Sequence, residues 1–215
     1  MNRTDIINSL IKKYNYKSYL EIGLDNPNHN YNLIDCELKE CVDPYFEDDH
    51  KNGYDNKLDK KFMEETLKIL TYRMTSDEFF NQNKKKYDIV FIDGLHTKEQ
   101  VSRDIINSLK CLNLNGKIVV HDCLPGNESM QIVPRKQAGW CGDVWKAIPE
   151  LKKQNIKYKV VDCDYGVGII DYYRFHKNLQ YINTFENEWK DFVNNRNELL
   201  NVISTNKFNE LYNNK

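Results

Sequence analysis

The chain has 215 residues and a formal net charge of −1, with 31 Lys and Arg against 32 Asp and Glu. That balance removes the positive footprint of nucleic-acid-binding and membrane-surface proteins. A mean hydropathy of −0.74 without any long apolar run excludes a membrane-spanning helix.

Residues 4 to 14 place Ile6, Ile7, Leu10, Ile11 and Tyr14 at helical spacing, which predicts a helix over a sheet edge. No secretory pattern is seen here, since Asn2, Arg3, Thr4 and Asp5 precede only this short helical stretch; a cytoplasmic location is expected. Ser18 to Gly23 reads as a strand ending in an acid and a glycine, and Tyr31, Leu33 and Ile34 suggest that a helix resumes. A second strand at Glu40 to Asp43 stops at Pro44, which cannot continue a ladder. The polar stretch from Phe46 to Asp59 predicts a surface loop. Phe62 to Leu70 then fits a helix and Leu70 to Met74 a third strand, with Ser76 and Asp77 capping a short helix.

The next stretch organises the chain. Val90, Phe91 and Ile92 are a continuous apolar run, the mark of a strand buried on both faces, and it ends at Asp93-Gly94. Thr97 and Gln100 have capping-box spacing ahead of a helix with Val101, Ile105, Leu109 and Leu112 on one stripe. After a turn at Asn115-Gly116, Lys117 to His121 forms the next strand, giving a right-handed βαβ unit. Leu124 to Cys141 is a long loop of the kind that binds ligands. Val144, Ile148 and Leu151 predict a helix shortened by Pro149. Lys157 to Asp162 and Gly166 to Asp171, so closely joined, must be antiparallel. An amphipathic helix from Thr184 to Ile203 and a short further helix close the chain. Most of the six cysteines fall in or beside these core elements, and none is in a C-x-x-C pair, which predicts reduced thiols.

The reading is therefore α/β: a Rossmann-like, seven-stranded, mostly parallel sheet with one antiparallel strand and helices on both faces. One domain over 1–215 is expected, with an N-terminal helix (1–15), a core (16–172) and a C-terminal helical extension (173–215). Strand ends repeatedly offer acids, at Glu21, Asp43, Asp77, Asp93 and Asp122. Ligands of open parallel sheets sit beyond the carboxyl ends of the strands, so these acids face one crevice.

Several of these strand ends carry a family pattern: LEIG at 20–23, VDP at 42–44, TSDEFF at 75–80, FIDGLH at 91–96, VHDC at 120–123 and DYGVG at 164–168. Six in the right order resemble the class I S-adenosylmethionine-dependent methyltransferases, closest to the small-molecule and sugar O-methyltransferases, over about residues 15 to 172. The resemblance implies that Glu21 and Gly23 lie against the methionine part of the cofactor, Asp43 on the ribose hydroxyls, Ser76 and Asp77 beside the adenine, and Asp93 near the methionine amine. The pattern departs in the first loop, where Leu24-Asp25-Asn26-Pro27-Asn28 stands in place of a second glycine.

Asp93, His96 and Asp122 are the expected catalytic constellation, and the resemblance implies Asp93 and Asp122 as ligands for a divalent metal, Mg or Mn. Cys123 occupies the place of the usual further acid or amide and is a poor magnesium ligand. His96 could take the proton of an acceptor hydroxyl; His121 reads as structural. Arg135, for an anionic group, and Trp140, for stacking on a ring, are the expected acceptor contacts. The expected activity is methyl transfer from S-adenosylmethionine to a hydroxyl of a small molecule such as a sugar or glycan precursor. An amine or phenol acceptor, or a non-catalytic binding module, are the alternatives. Neither nucleic acid nor membrane is an expected partner. A homodimer or larger homo-oligomer is expected from Trp189 and Phe192 on the tail helix.

Overall fold

The apolar run ending at Ile92 lies inside a seven-stranded sheet of order β2-β1-β3-β4-β6-β5-β7. The strands are β1 (Ser18–Ile22), β2 (Leu38–Val42), β3 (Tyr87–Ile92), β4 (Leu112–Val120), β5 (Lys157–Val161), β6 (Val167–Asp171) and β7 (Val202–Ile203). The computed structural model describes residues 1–44, 60–171 and 188–213. The loop expected from Phe46 to Asp59 and the start of the tail helix at Thr184 lie outside these residues. Pairing is parallel for β1 with β2 and β3, for β3 with β4, and for β5 with β7; β6 alone runs against its neighbours. This is the expected Rossmann-like sheet with one antiparallel strand.

Alternation along the buried strands feeds two cores. Val90 and Ile92 face the core formed with Val101, Ile105, Trp145 and Phe192, while Ile89 and Phe91 face the core formed with Ile6, Ile7, Leu10 and Phe208. The helices over these cores are α1 (Arg3–Tyr14), α2 (Lys60–Ile69), α3 (Ser76–Gln82), α4 (Lys98–Lys110), α5 (Glu150–Lys153), α6 (Trp189–Leu199) and α7 (Thr205–Tyr212). Among the described residues no helix is long and apolar enough to cross a membrane.

Several elements differ from the sequence reading. Helix α1 covers a sheet face rather than an edge, since its apolar stripe packs with residues of β1, β3 and β4. Two short 3-10 turns, Pro27–His29 and Tyr31–Leu33, replace the helix expected to resume there. Leu70 to Met74 makes a single bridge, Tyr72 to Val42, because Thr75 already caps α3 and leaves no residues to lengthen the ladder. Thr75, not Ser76 or Asp77, is that cap, in a reciprocal box with Glu78. The seventh strand instead comes from Val202–Ile203, which the sequence reading had placed in the tail helix. There α6 ends at Leu199, and Asn201, at φ 49°, turns the chain to lay two β-branched residues beside β5. Phe192 is buried against Trp145 and stacked on half-buried Trp189, so this part of the tail-helix stripe packs within the chain, while Val193 stays exposed.

Candidate active site

The carboxyl ends of β1, β2, β3 and β4 open into a cavity of about 770 Å³, within the usual span of small-molecule sites. Glu21, Gly23, Asp43, Ser76, Asp77, Asp93, His96, Asp122, Arg135 and Trp140 all line it, so every site residue named from the sequence borders one space.

The first loop is built by tight packing. Gly23 has φ 93°, and a Cβ there would lie 2.2 Å from the Asp93 carbonyl oxygen. The glycine is thus required by the approach of the β3–α4 loop, whatever the cavity holds. The Leu24 N–H donates to Asp43 Oδ2 at 2.8 Å, so Asp43 ties the loop to the end of β2. Asn26 accepts from the Asn28 N–H and caps the following 3-10 turn, supplying the turn chemistry that a second glycine would otherwise bring. Glu21 is only 4% exposed. The Tyr19 hydroxyl and, at 3.0 Å, the Asn30 amide donate to one of its oxygens. Burial nevertheless lifts its pKa from 4.5 to about 8, so this acid is neutral at pH 7.

Beside Ser76 and Asp77, Gln100 makes contacts not foreseen from the sequence. Its side chain does not return to the Thr97 cap as a capping box requires. The amide nitrogen reaches Ser76 Oγ at 3.0 Å, Asp77 Oδ1 at 3.3 Å and the buried Asp104 at 3.0 Å. Burial raises the Asp104 carboxyl to about 6.

Beyond β3 and β4, Asp93, His96 and Asp122 bring one ligand atom each within 4.8 Å of one another. His96 Nε2 lies 3.4 Å from Asp93 Oδ1, and its Nδ1 lies 3.1 Å from Asp122 Oδ2. His121, read from the sequence as a structural residue, stands between the acids: its Nδ1 is 3.2 Å from Asp93 Oδ1 and 3.3 Å from Asp122 Oδ1. Its Nε2 is 3.5 Å from Asp164 and 3.2 Å from Arg3 Nη1. Burial opposes charge on both imidazoles, but the facing carboxylates outweigh it and raise both pKa values. The same contacts outweigh burial at Asp93 and hold it well below the usual carboxylate range. Asp122 has φ 60°, an uncommon conformation for a residue with a Cβ and one that clusters at functional sites. Cys123 is fully buried, with its thiol directed at the Val120 carbonyl, so it offers nothing to this cluster.

The loop after β4 closes over His96. Trp140 stacks on that imidazole at 5.3 Å and 17°, held by donation from its Nε1 to the Ile132 carbonyl at 2.7 Å. Gly142, at φ 61°, lies so close that a Cβ would meet the His96 carbonyl oxygen at 1.7 Å. Arg135 turns inward on its own loop, Nε donating to Gln137 O at 3.0 Å and Nη2 to Ala138 O at 2.7 Å. Gln131 accepts from buried Trp145, and Asp143 from the Lys98 N–H at the start of α4, so both serve the loop's structure. Leu95 and Tyr165 also line the cavity and are 59% and 54% exposed. Arg3, 161 positions from its partner Asp164, gave no signal in the sequence.

Residues 24–123, a little under half of the chain, match the family described as methyltransferase domain. No curated protein matches. Among solved structures, the O-methyltransferase TomG from Streptomyces achromogenes, which is involved in tomaymycin synthesis and was solved with S-adenosylmethionine, is 11% identical with a TM-score of 0.54, covering 79% of each chain. An O-methyltransferase from Bacillus cereus in complex with S-adenosylhomocysteine is 11% identical with a TM-score of 0.51, covering 80% of this chain and 82% of that one. A methyltransferase from Podospora anserina bound to S-adenosylhomocysteine is 16% identical with a TM-score of 0.50, covering 76% and 74%. At such identities the structures show a shared fold, and the family match falls on the strand ends that build the cavity. Residues 24–123 thus match a methyltransferase domain, and the chain shares the fold of these solved methyltransferases.

Proposed function

We propose that the chain transfers the methyl group of S-adenosylmethionine to a hydroxyl of a small molecule, as one domain acting in the cytoplasm. One observation carries this reading: Asp93, His96 and Asp122 converge at the ends of β3 and β4, in the cavity that Asp43 and Ser76-Asp77 border from β2 and α3. The donor set fits an extended nucleoside with an amino-acid end. In this reading Asp43 takes the ribose hydroxyls, Ser76 and Asp77 border the adenine, and Glu21, Gly23 and Asp93 adjoin the methionine part. When bound, the cofactor supplies an activated methyl on a positively charged sulfur.

The chain's own part is to align the acceptor oxygen and accept its proton. His96 is the proton acceptor in its neutral form, oriented by Asp122 through Nδ1 with Nε2 turned to the acceptor hydroxyl; the facing acids favour the protonated ring, so the active share grows as pH rises. Asp93 and Asp122, with His96 as a third donor in place of Cys123, also fit a divalent ion, which would supply Lewis acidity to lower the hydroxyl pKa. Trp140 offers a face for a sugar ring. The exposed Leu95 and Tyr165 beside it favour a second acceptor class, phenols, whose whole ring is apolar.

The test is incubation with labelled S-adenosylmethionine and a panel of nucleotide sugars, phenols and amines, with and without EDTA. Label is expected on hydroxyl acceptors, with activity lost in EDTA and restored by magnesium or manganese. Asp122→Asn is expected to lower turnover roughly a hundredfold while sparing cofactor binding. Full activity in EDTA together with an inactive His96→Ala removes the ion and leaves the histidine. Transfer to amines alone overturns the reading.

A further inference from the structure

We propose that Arg3 and Asp93 clamp the amino-acid end of S-adenosylmethionine, the Nε/Nη2 edge of the guanidinium taking the carboxylate and Asp93 the ammonium; this rests on the functional reading above. Arg3 opens α1, and its backbone N–H donates to Asp164 Oδ2 at 2.9 Å. One side of its guanidinium is already committed. Nη1 donates to both Asp164 oxygens, at 3.1 and 3.3 Å, and lies 3.2 Å from His121 Nε2.

The other side is not. Among the described residues neither Nε nor Nη2 makes a hydrogen bond, although Nε is shut off from solvent. Asp93 Oδ2 lies 3.9 Å from Nε, beyond hydrogen-bond reach. A buried donor without an acceptor is costly, and such groups in native structures call for a partner. The Nε/Nη2 edge carries two parallel N–H groups at the spacing of carboxylate oxygens, the geometry of bidentate recognition. Arg135 has the same edge and spends it on two carbonyls of its own loop, so it is not the equivalent site.

Position selects the ligand. Arg3 and Asp93 present opposite charges 3.9 Å apart on the wall of one cavity. An α-amino acid carries its ammonium and carboxylate on a single carbon and matches both charges, whereas a neutral acceptor hydroxyl matches neither. The Asp93 carbonyl packs against Gly23, so the clamp adjoins the first loop, where the methionine part is expected. The ion pair with Asp164 and the start of α1 hold the guanidinium in place before any ligand arrives.

Calorimetric titration with S-adenosylhomocysteine and with its analogue lacking the α-carboxylate tests the clamp. Wild-type protein is expected to favour the carboxylate-bearing ligand by roughly ten- to a hundredfold, the usual range for hydrogen bonds to charged groups. Arg3→Met is expected to bind the two ligands equally. Arg3→Lys keeps a cation beside Asp164 but lacks the fork, and the preference is expected to fall at least about threefold. A purely structural role for Arg3 weakens both ligands together and leaves their ratio at the wild-type value. An unchanged ratio in Arg3→Met or, where that variant does not fold, in Arg3→Lys overturns the clamp. So does a wild-type protein that binds both ligands alike. Failure of the wild type to bind S-adenosylhomocysteine at all overturns the functional reading, and the clamp with it.

Discussion

Glu21 carries a charge state that its residue type alone does not suggest. Buried at the end of β1 and lifted to about 8, it stays protonated where a surface glutamate is ionised. Its folded-state pKa lies above the 4.5 of an exposed glutamate. Its contribution to stability is therefore whole below pH 4.5 and is lost as pH rises through 8. Glu21→Gln retains an acceptor for Tyr19 and Asn30 without a titrating proton. We expect the variant to be more stable than wild type at pH 8, on the order of a few kcal/mol, and equal to it near pH 4. Urea unfolding at both pH values measures this; parallel pH profiles for the two proteins would count against it. The position of Glu21 was legible from the strand pattern, but its protonation was not. Burial depends on Tyr19, Asn30 and the packing around β1, which no local pattern records. Asp43 is the contrasting case, because an acid before a proline at the end of a strand announces its own placement.

Elements were legible to the degree that their causes are local. The βαβ unit from β3 to β4 was readable because a buried apolar run, a threonine cap and a helical stripe lie within one stretch of chain. The lost strand at Leu70 to Met74 and the gained strand β7 were not, since their ladders are decided by partners far along the chain. In the site, acids at strand ends could be found by position. Arg3, His121 and Gln100 reach the cavity through tertiary contacts and could not. The turn after β1 offers a test of how tightly these elements interlock. Gly23→Ala places a Cβ 2.2 Å from backbone in a left-handed conformation, whereas the nearest atom to a Cβ on Gly94 is 3.6 Å away, an ordinary contact. Gly23→Ala is expected to cost at least about 2 kcal/mol and to weaken S-adenosylhomocysteine binding as the Asp93 loop shifts. Gly94→Ala is expected to change stability by less than about 0.5 kcal/mol. Thermal and denaturant melts of the pair check both; equal losses would show that the interlocking is overstated.

At the scale of the whole molecule, the first and last helices close on each other. Phe208 of α7 is fully buried among Ile6, Ile7 and Leu10 of α1, and the Lys13 ammonium donates to the Leu211 carbonyl. The extension after the family pattern is thus part of the core that positions Arg3. Phe208→Ala is expected to cost about 3–5 kcal/mol and to lower a single calorimetric transition rather than fray one end; a separate low-temperature transition would contradict it. The pairing of His96 with Trp140 gives the molecule an optical handle. Of its three tryptophans, Trp145 is buried and Trp189 lies on Phe192, so among the described residues Trp140 is the one stacked on an imidazole. An excited indole passes an electron to a protonated imidazole and goes dark. Because the facing acids favour the protonated form of His96, emission near neutrality should be dim and should brighten as the pH rises. Trp140→Phe should abolish that rise, so the light this protein emits would report the proton on His96 in the absence of any acceptor.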